Sequence, residues 1–216
     1  MRLRPVREAG RELASALALV LQDTVHHRGE SARGEPAFEF RDTDRIGDEV
    51  ALNLVAAELP QPVELRARLP ENAIVTNGAG NYNIWLHRYF SYRRFGTQIA
   101  PKSGTMGYGL PAAIAAALRH PTRAVVALAG DGCFTMALPE LATAMQHDLA
   151  LTVLVVNNGQ YGSIRMHQER RYPGGTFATG LVTPDFAALA ASYGAHAERV
   201  EATADFPAAL DRALGA

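Results

Sequence analysis

This chain of 216 residues holds one cysteine, Cys133, and one lysine, Lys102. A lone cysteine excludes an internal disulfide and a cysteine-rich zinc site, and it suits a reducing cytoplasm. The other basic residues are arginines; with abundant alanine, that skew reads as coding bias rather than a binding surface. Net charge is −1, which leaves no electrostatic footprint for nucleic acid or an anionic membrane. No apolar run approaches the roughly 18 residues that a membrane helix needs. Arg2, Arg4 and Arg7 do precede an apolar run, Ala14 to Leu21. Glu8 and Glu12 interrupt them and no small-residue cleavage site follows, so the segment does not read as a secretory signal. There is no Walker-type phosphate loop. His87, His147 and His167 lack the i, i+4 spacing of a zinc helix. Gly78-Ala79-Gly80 misses the third glycine of a dinucleotide fingerprint: Asn83 stands there, and no helix pattern opens.

Against these absences, one constellation stands out. Gly130-Asp131-Gly132 is followed, after 24 residues, by Asn157-Asn158. An apolar strand-like run leads into each motif, Ala124 to Ala129 and Leu151 to Val156. Between them Leu138 to His147 reads as a helix with Leu138, Leu141, Ala142 and Met145 on one face. Strand, helix, strand with buried apolar strands is a parallel crossover, so both motifs reach the same carboxyl edge of a sheet. Magnesium takes hard oxygen ligands, of which proteins often supply only a few. Asp131 offers a carboxylate, Asn158 a side-chain carbonyl and Gln160 a backbone carbonyl. Gly130 and Gly132, and after the second strand Gly159 and Gly162, allow close backbone approach. The pattern predicts a metal–phosphate site.

The length suits one α/β domain plus an extension. Arg7 to Val25 carries apolar residues at helical spacing and predicts an amphipathic helix. Residues 26–48 are charged, contain Gly29, Gly34, Pro36 and Gly47, and read as linker, with Phe38 and Phe40 as pins onto a neighbour. Residues 49–59 predict a second short helix, ending before Pro60 and Pro62. The domain boundary is therefore expected near Gln61, with 1–60 a partly helical extension or linker remnant and 61–216 the domain. A first strand is expected over Ala73 to Thr76. The aromatic and basic cluster Trp85 to Arg94 is expected as buried strand–loop packing beneath the entrance of the site. Helices over Phe186 to Ala191 and Phe206 to Leu214 flank a short strand near Ala197 to Val200. The whole predicts a doubly wound, mostly parallel sheet with helices on both faces.

The motif pair also carries a resemblance. GDG-x24-NN matches the signature of enzymes that use thiamine diphosphate. The run GDGCFTMALPELATAMQHDLALTVLVVNNGQYGSIRMHQERRYP resembles the C-terminal, diphosphate-binding domain of the acetolactate synthase-like and benzoylformate decarboxylase-like group. The similarity includes GTMGYGLPAAIAAAL upstream and TPDFAALAASYGAHAERVE downstream, and covers roughly two thirds of the chain, whereas residues 1 to about 60 do not resemble that domain. The resemblance implies that Asp131, Asn158 and the main chain of Gln160 bind Mg2+. It implies that Gly130, Gly132, Cys133, Tyr161, Gly162 and Ser163 lie along the diphosphate. Gly104, Thr105 and Met106 would meet the aminopyrimidine, with the Met106 side chain holding the cofactor bent.

In the resembled family the activating carboxylate is a glutamate on a separate pyrimidine-binding domain. Residues 1–60 are too few for such a domain, and no glutamate here has its context. The resemblance therefore implies half an active site: an enzyme half completed by a pyrimidine-domain partner subunit or in a homo-oligomer, or a cofactor-binding remnant that turns nothing over. The substrate expected is a 2-oxo acid. His167 and Ser163 stand where acetolactate synthases usually carry tryptophan and methionine, which leans towards decarboxylases and carboligases. His167 is a candidate catalytic residue, to orient a carboxylate or relay a proton, with a plain surface histidine as the alternative.

Overall fold

The computed structural model describes residues 17–22 and 60–215. Six parallel strands form one sheet: β1 (Leu17–Gln22), β2 (Ile74–Asn77), β3 (Gln98–Ile99), β4 (Val125–Gly130), β5 (Thr152–Asn157) and β6 (His196–Val200). Their spatial order is β3-β2-β4-β5-β1-β6, with every pairing parallel. The helices are α1 (Pro60–Arg68), α2 (Tyr82–Tyr89), α3 (Gly109–Arg119), α4 (Asp131–Ala137), α5 (Glu140–Gln146), α6 (Gly162–Arg171), α7 (Phe186–Ser192) and α8 (Phe206–Gly215).

Strand side chains alternate between two cores, as the two-residue period requires. Val125, Ala127 and Ala129 join Leu110, Phe134 and Leu141 on one face. Val126 and Leu128 join Leu65, Leu86 and Phe206 on the other. Because both faces are covered, β4 and β5 read as near-continuous apolar runs. Phe134 and Phe186 meet edge-on, with centroids 5.3 Å apart, and tie α4 to α7. The doubly wound architecture expected from the motif spacing is the one observed.

Two local expectations are corrected. Over Leu17 to Gln22 the expected helix is a strand, seated between β5 and β6. Leu17 to Leu21 is an unbroken apolar run, and such a run fits a buried strand as well as a helix. The rest of that expected helix, the 26–48 linker with Phe38 and Phe40, and the helix over 49–59 lie outside the described residues. Where the boundary is expected, Pro60–Arg68 is helical, as α1. Finally, Tyr82 to Tyr89 is a helix and not strand–loop packing. Its buried positions Tyr82, Asn83 and Leu86, continued by Phe90, follow helical spacing. Two of those four are polar or amphipathic, which hides the period from an apolar template.

Candidate functional site

The chain leaves β2 towards the sheet edge at β3 and then returns to the other side of β2 as β4. Connections therefore diverge between β2 and β4, and a crevice opens outside their carboxyl ends, where open α/β sheets bind ligands. Gly130, the last residue of β4, lies opposite Val156 of β5. One step further along the parallel pair, Asp131 and the Asn157-Asn158 motif emerge side by side, as the crossover argument requires. The cleft is lined from three strand ends: Ala79 to Tyr82 after β2, Gly130 to Cys133 after β4, and Val156, Asn158 and Gln160 to Ile164 after β5. Gly104 and Met106 close a further side.

Asp131 opens α4 and is 3 % exposed. One carboxylate oxygen accepts the Gly132 N–H at 2.8 Å, and the other accepts the Gly159 N–H, also at 2.8 Å. Burial lifts its pKa above the ordinary carboxylate value, opposed by the backbone N–H groups of Gly132, Gly159, Gln160 and Asn158. No cationic side chain among the described residues pairs with it. A buried carboxylate compensated only by neutral amides is short of positive charge. Asn158 Oδ1 accepts the Gln160 N–H at 3.2 Å, and the Gln160 carbonyl accepts the Gly162 N–H at 3.0 Å. Each of these oxygens keeps a lone pair for a cation. The donor set is hard and all-oxygen, which suits magnesium. Among the described residues no group of three His, Cys, Asp or Glu is placed to hold a metal ion.

Gly159 stands at φ +66°, in the left-handed region that favours glycine, and turns the chain so that its N–H meets Asp131. A strap over residues 172–183 secures this turn. Tyr161 N–H donates to the Thr179 carbonyl (2.8 Å), and Leu181 N–H donates to the Gly159 carbonyl (2.7 Å). Gln168 of α6 grips the strap at Phe177, accepting its N–H at 2.9 Å and donating to its carbonyl at 3.1 Å. Across the cleft, Ser163 donates to Asn81 Oδ1 at 2.9 Å, joining the β2 and β5 loops.

Of the residues singled out from the sequence, Gly104, Met106, Gly130 to Cys133, Asn158 and Gln160 to Ser163 line one cleft. Met106 is half-buried against the core. Thr105 is exposed beside Ser103 and is not part of the lining. His167 is exposed on α6, also outside the lining. Ala79, Gly80, Asn81 and Tyr82 were not anticipated there. The edge rule applied to β4 and β5 places the loop after β2 in the same crevice.

Similarity to known proteins agrees with this geometry. The family described as thiamine pyrophosphate enzyme, C-terminal TPP binding domain, matches residues 78–216. The chain is 37 % identical over 166 residues to the mitochondrial acetolactate synthase catalytic subunit of Aspergillus candidus, covering 76 % of this chain and 23 % of that protein. It is 31 % identical over 173 residues to the acetolactate synthase isozyme 2 large subunit of Escherichia coli K12, covering 79 % and 30 %. A solved structure of the thiamine diphosphate-dependent 4-hydroxybenzoylformate decarboxylase of Rhodococcus jostii RHA1 superposes with a TM-score of 0.66 at 32 % identity, covering 74 % of this chain and 31 % of that one. The chain thus spans only about a quarter to a third of the length of these relatives. With the cleft at the β2–β4 divergence and the matched residues lining it, this chain belongs to the thiamine pyrophosphate enzyme family, through the C-terminal TPP binding domain.

Proposed function

We propose that the chain binds thiamine diphosphate through Mg2+ and serves as the diphosphate-binding half of a 2-oxo acid decarboxylase or carboligase. The single observation that carries this reading is the buried, cation-free Asp131 carboxylate, gathered with Asn158 and Gln160 at one strand edge. Asp131 Oδ, Asn158 Oδ1 and the Gln160 carbonyl would hold the metal. Gly132, Cys133 and Tyr161 to Ser163 would follow the diphosphate, and Gly104 and Met106 the aminopyrimidine side. Thr105 sits in that segment by sequence and would act through its backbone. Thiamine diphosphate supplies, when bound, a carbanion able to attack the carbonyl of a 2-oxo acid.

In this reading the protein groups bind, orient and exclude water, while the activating acid comes from a pyrimidine-domain partner. Asp131 is the one acid among the described lining residues, and its role is taken by the metal. His167 would approach the substrate only if a partner closes over α6. The same observation favours a second reading, a cofactor-binding remnant without turnover. Exposed Ile84 and Tyr108, on the stretches flanking the cleft entrance, suit capture of a partner or of a second copy. The Escherichia coli relative is itself a large subunit.

Calorimetric titration tests the reading. Wild type should take up thiamine diphosphate with Mg2+ and not in excess chelator, and Asp131→Ala should abolish uptake. Equal affinity in both proteins would refute it. Proton–deuterium exchange at the thiazolium C2 then separates the two readings. The lone chain should not accelerate exchange, and a pyrimidine-domain partner should restore it, since loss of a general acid–base group costs about two to four orders of magnitude. No acceleration with any such partner would favour the remnant.

A further inference from the structure

Glycine at both ends of Asp131 invites the explanation that a ligand needs the space. The backbone does not require it: Gly130 has φ −74° and ψ 158°, open to any residue, and Gly132 lies within α4 at no left-handed angle. What fills the space beside Gly130 is protein. A Cβ at Gly130 would stand 2.8 Å from Tyr82 Cε1 and 3.1 Å from Cδ1. The same ring confines two more glycines. A Cβ at Gly80 would stand 2.7 Å from Tyr82 Cε1, and one at Gly78 would stand 2.9 Å from the Tyr82 hydroxyl oxygen. Real Cβ atoms do not approach so closely.

Tyr82 cannot swing aside. It is 8 % exposed at the start of α2 and packs in the core with Leu86 and Cys133. The loop around it is pinned: Asn83 and Asn77 both donate to the Gly78 carbonyl, at 2.5 and 2.9 Å, and the Cys133 thiol donates to the Ala79 carbonyl at 2.9 Å. Its hydroxyl is buried with no hydrogen-bond partner in this structure. Burial drives the phenol pKa up, and the neighbouring Cys133 adds to that. The group is therefore neutral, and its contribution is the ring rather than the charge. By contrast the Tyr161 ring, 2.6 Å from a Cβ built on Gly132, belongs to a side chain less buried than Tyr82.

We propose that Tyr82 is a positioning residue for the Asp131 site. Its ring fills a socket made by Gly78, Gly80 and Gly130, locks the loop after β2 to the end of β4, and so fixes where the Asp131 carboxylate stands. Gly130 is then required by the tyrosine and not by the ligand. The inference rests on the proposed reading of Asp131 as a magnesium and thiamine diphosphate site. Removing the ring would leave a void lined by three glycines, into which the chain before Asp131 relaxes.

A double-mutant cycle on the full chain tests it, with Mg2+ and thiamine diphosphate as probes. Gly130→Ala alone should weaken Mg2+-dependent cofactor binding by about tenfold, because the new methyl collides with the ring and displaces Asp131. Tyr82→Ala alone should lose a similar factor, and Tyr82→Phe, which keeps the ring, should recover what Tyr82→Ala loses. In the Tyr82→Ala background, Gly130→Ala should cost no more than about twofold further. Losses that simply multiply would show that the ligand itself needs the glycine and would overturn the inference, as would wild-type binding by Tyr82→Ala. If wild type binds no cofactor at all, the functional reading fails separately. Urea midpoints of the same four proteins then decide the wedge: the Gly130→Ala penalty should vanish without the ring, and an undiminished penalty overturns it.

Discussion

The two sides of the sheet are built on different terms. On the side that carries the site, β2 and β4 are buried at every position and β5 at all but one. Their pairings are direct, β2 with β4 and β4 with β5. On the far side β6 is buried only at Val200, and among the described strands it pairs with β1 alone, a segment far from it in sequence. Among the described lining residues of the cleft none belongs to β6. The site thus stands on the well-packed side, where a ligand constellation is held by rigid elements. The far side completes the fold around one distant strand.

The sharpest way to break this comparison is to interrupt β1. Val20→Pro removes an N–H from a strand paired on both edges and should cost about 3 kcal/mol or more. Amide exchange over residues 196–215 should speed up while protection over 125–130 and 152–157 stays high. Metal-dependent cofactor binding should survive in the population that stays folded. Uniform loss of protection across all strands would show that the sheet has no such division.

A smaller effect comes from the carboxylates, which give the two sides opposite responses to pH. The raised pKa of Asp131 means that the folded chain keeps a proton which the unfolded chain has released. This contribution is favourable below the ordinary carboxylate pKa and is lost as pH rises through the folded value. Metal binding needs the ionised form, so Mg2+ affinity should fall by up to about tenfold per pH unit below that raised pKa. On β6, Glu198 is held below its ordinary value by its hydrogen bond with Arg212. Its contribution is present above the unfolded pKa and lost as pH falls through the folded one, and solvent exposure keeps it small. Titrating Mg2+ affinity in wild type and stability in Glu198→Gln, across acidic pH, checks both signs. An Mg2+ affinity independent of pH would remove Asp131 from the metal site.

The least effect is expected at the strap. Gln168→Ala frees Phe177 but leaves the Tyr161–Thr179 and Leu181–Gly159 bonds in place. Removing a partly exposed amide pair costs about 1 kcal/mol. Proteolysis within 172–178 should quicken several-fold, with cofactor affinity changed by about twofold or less. A tenfold loss of affinity would show the strap to be part of the ligand-binding machinery.

The same division governs how much the sequence discloses. On the site side, Val125 to Gly130 and Thr152 to Asn157 are legible because two-sided burial makes them continuous apolar runs, and the GDG and NN motifs mark their ends. β1 is equally apolar over Leu17 to Leu21, but five residues of Leu, Ala and Val carry no period that separates a strand from a helix turn. Nothing local says that Leu17 pairs with Thr152 and His196. At the cleft, α2 escaped recognition because Tyr82 and Asn83 do the burying. The socket around Tyr82 is tertiary: Gly78, Gly80 and Gly130 reveal what they accommodate only when brought together.

The seat of β1 also bears on the order of assembly. On a ribosome residues 17–22 are made well before their partners at 152–157 and 196–200. At about 5–20 residues per second, the strand must wait on the order of ten seconds before either neighbour exists. Throughout that interval the apolar run Leu17 to Leu21, with unpaired backbone, remains available to other chains and to chaperones. Completion of the sheet is then a closure between segments distant in sequence, and its timing is set by translation itself.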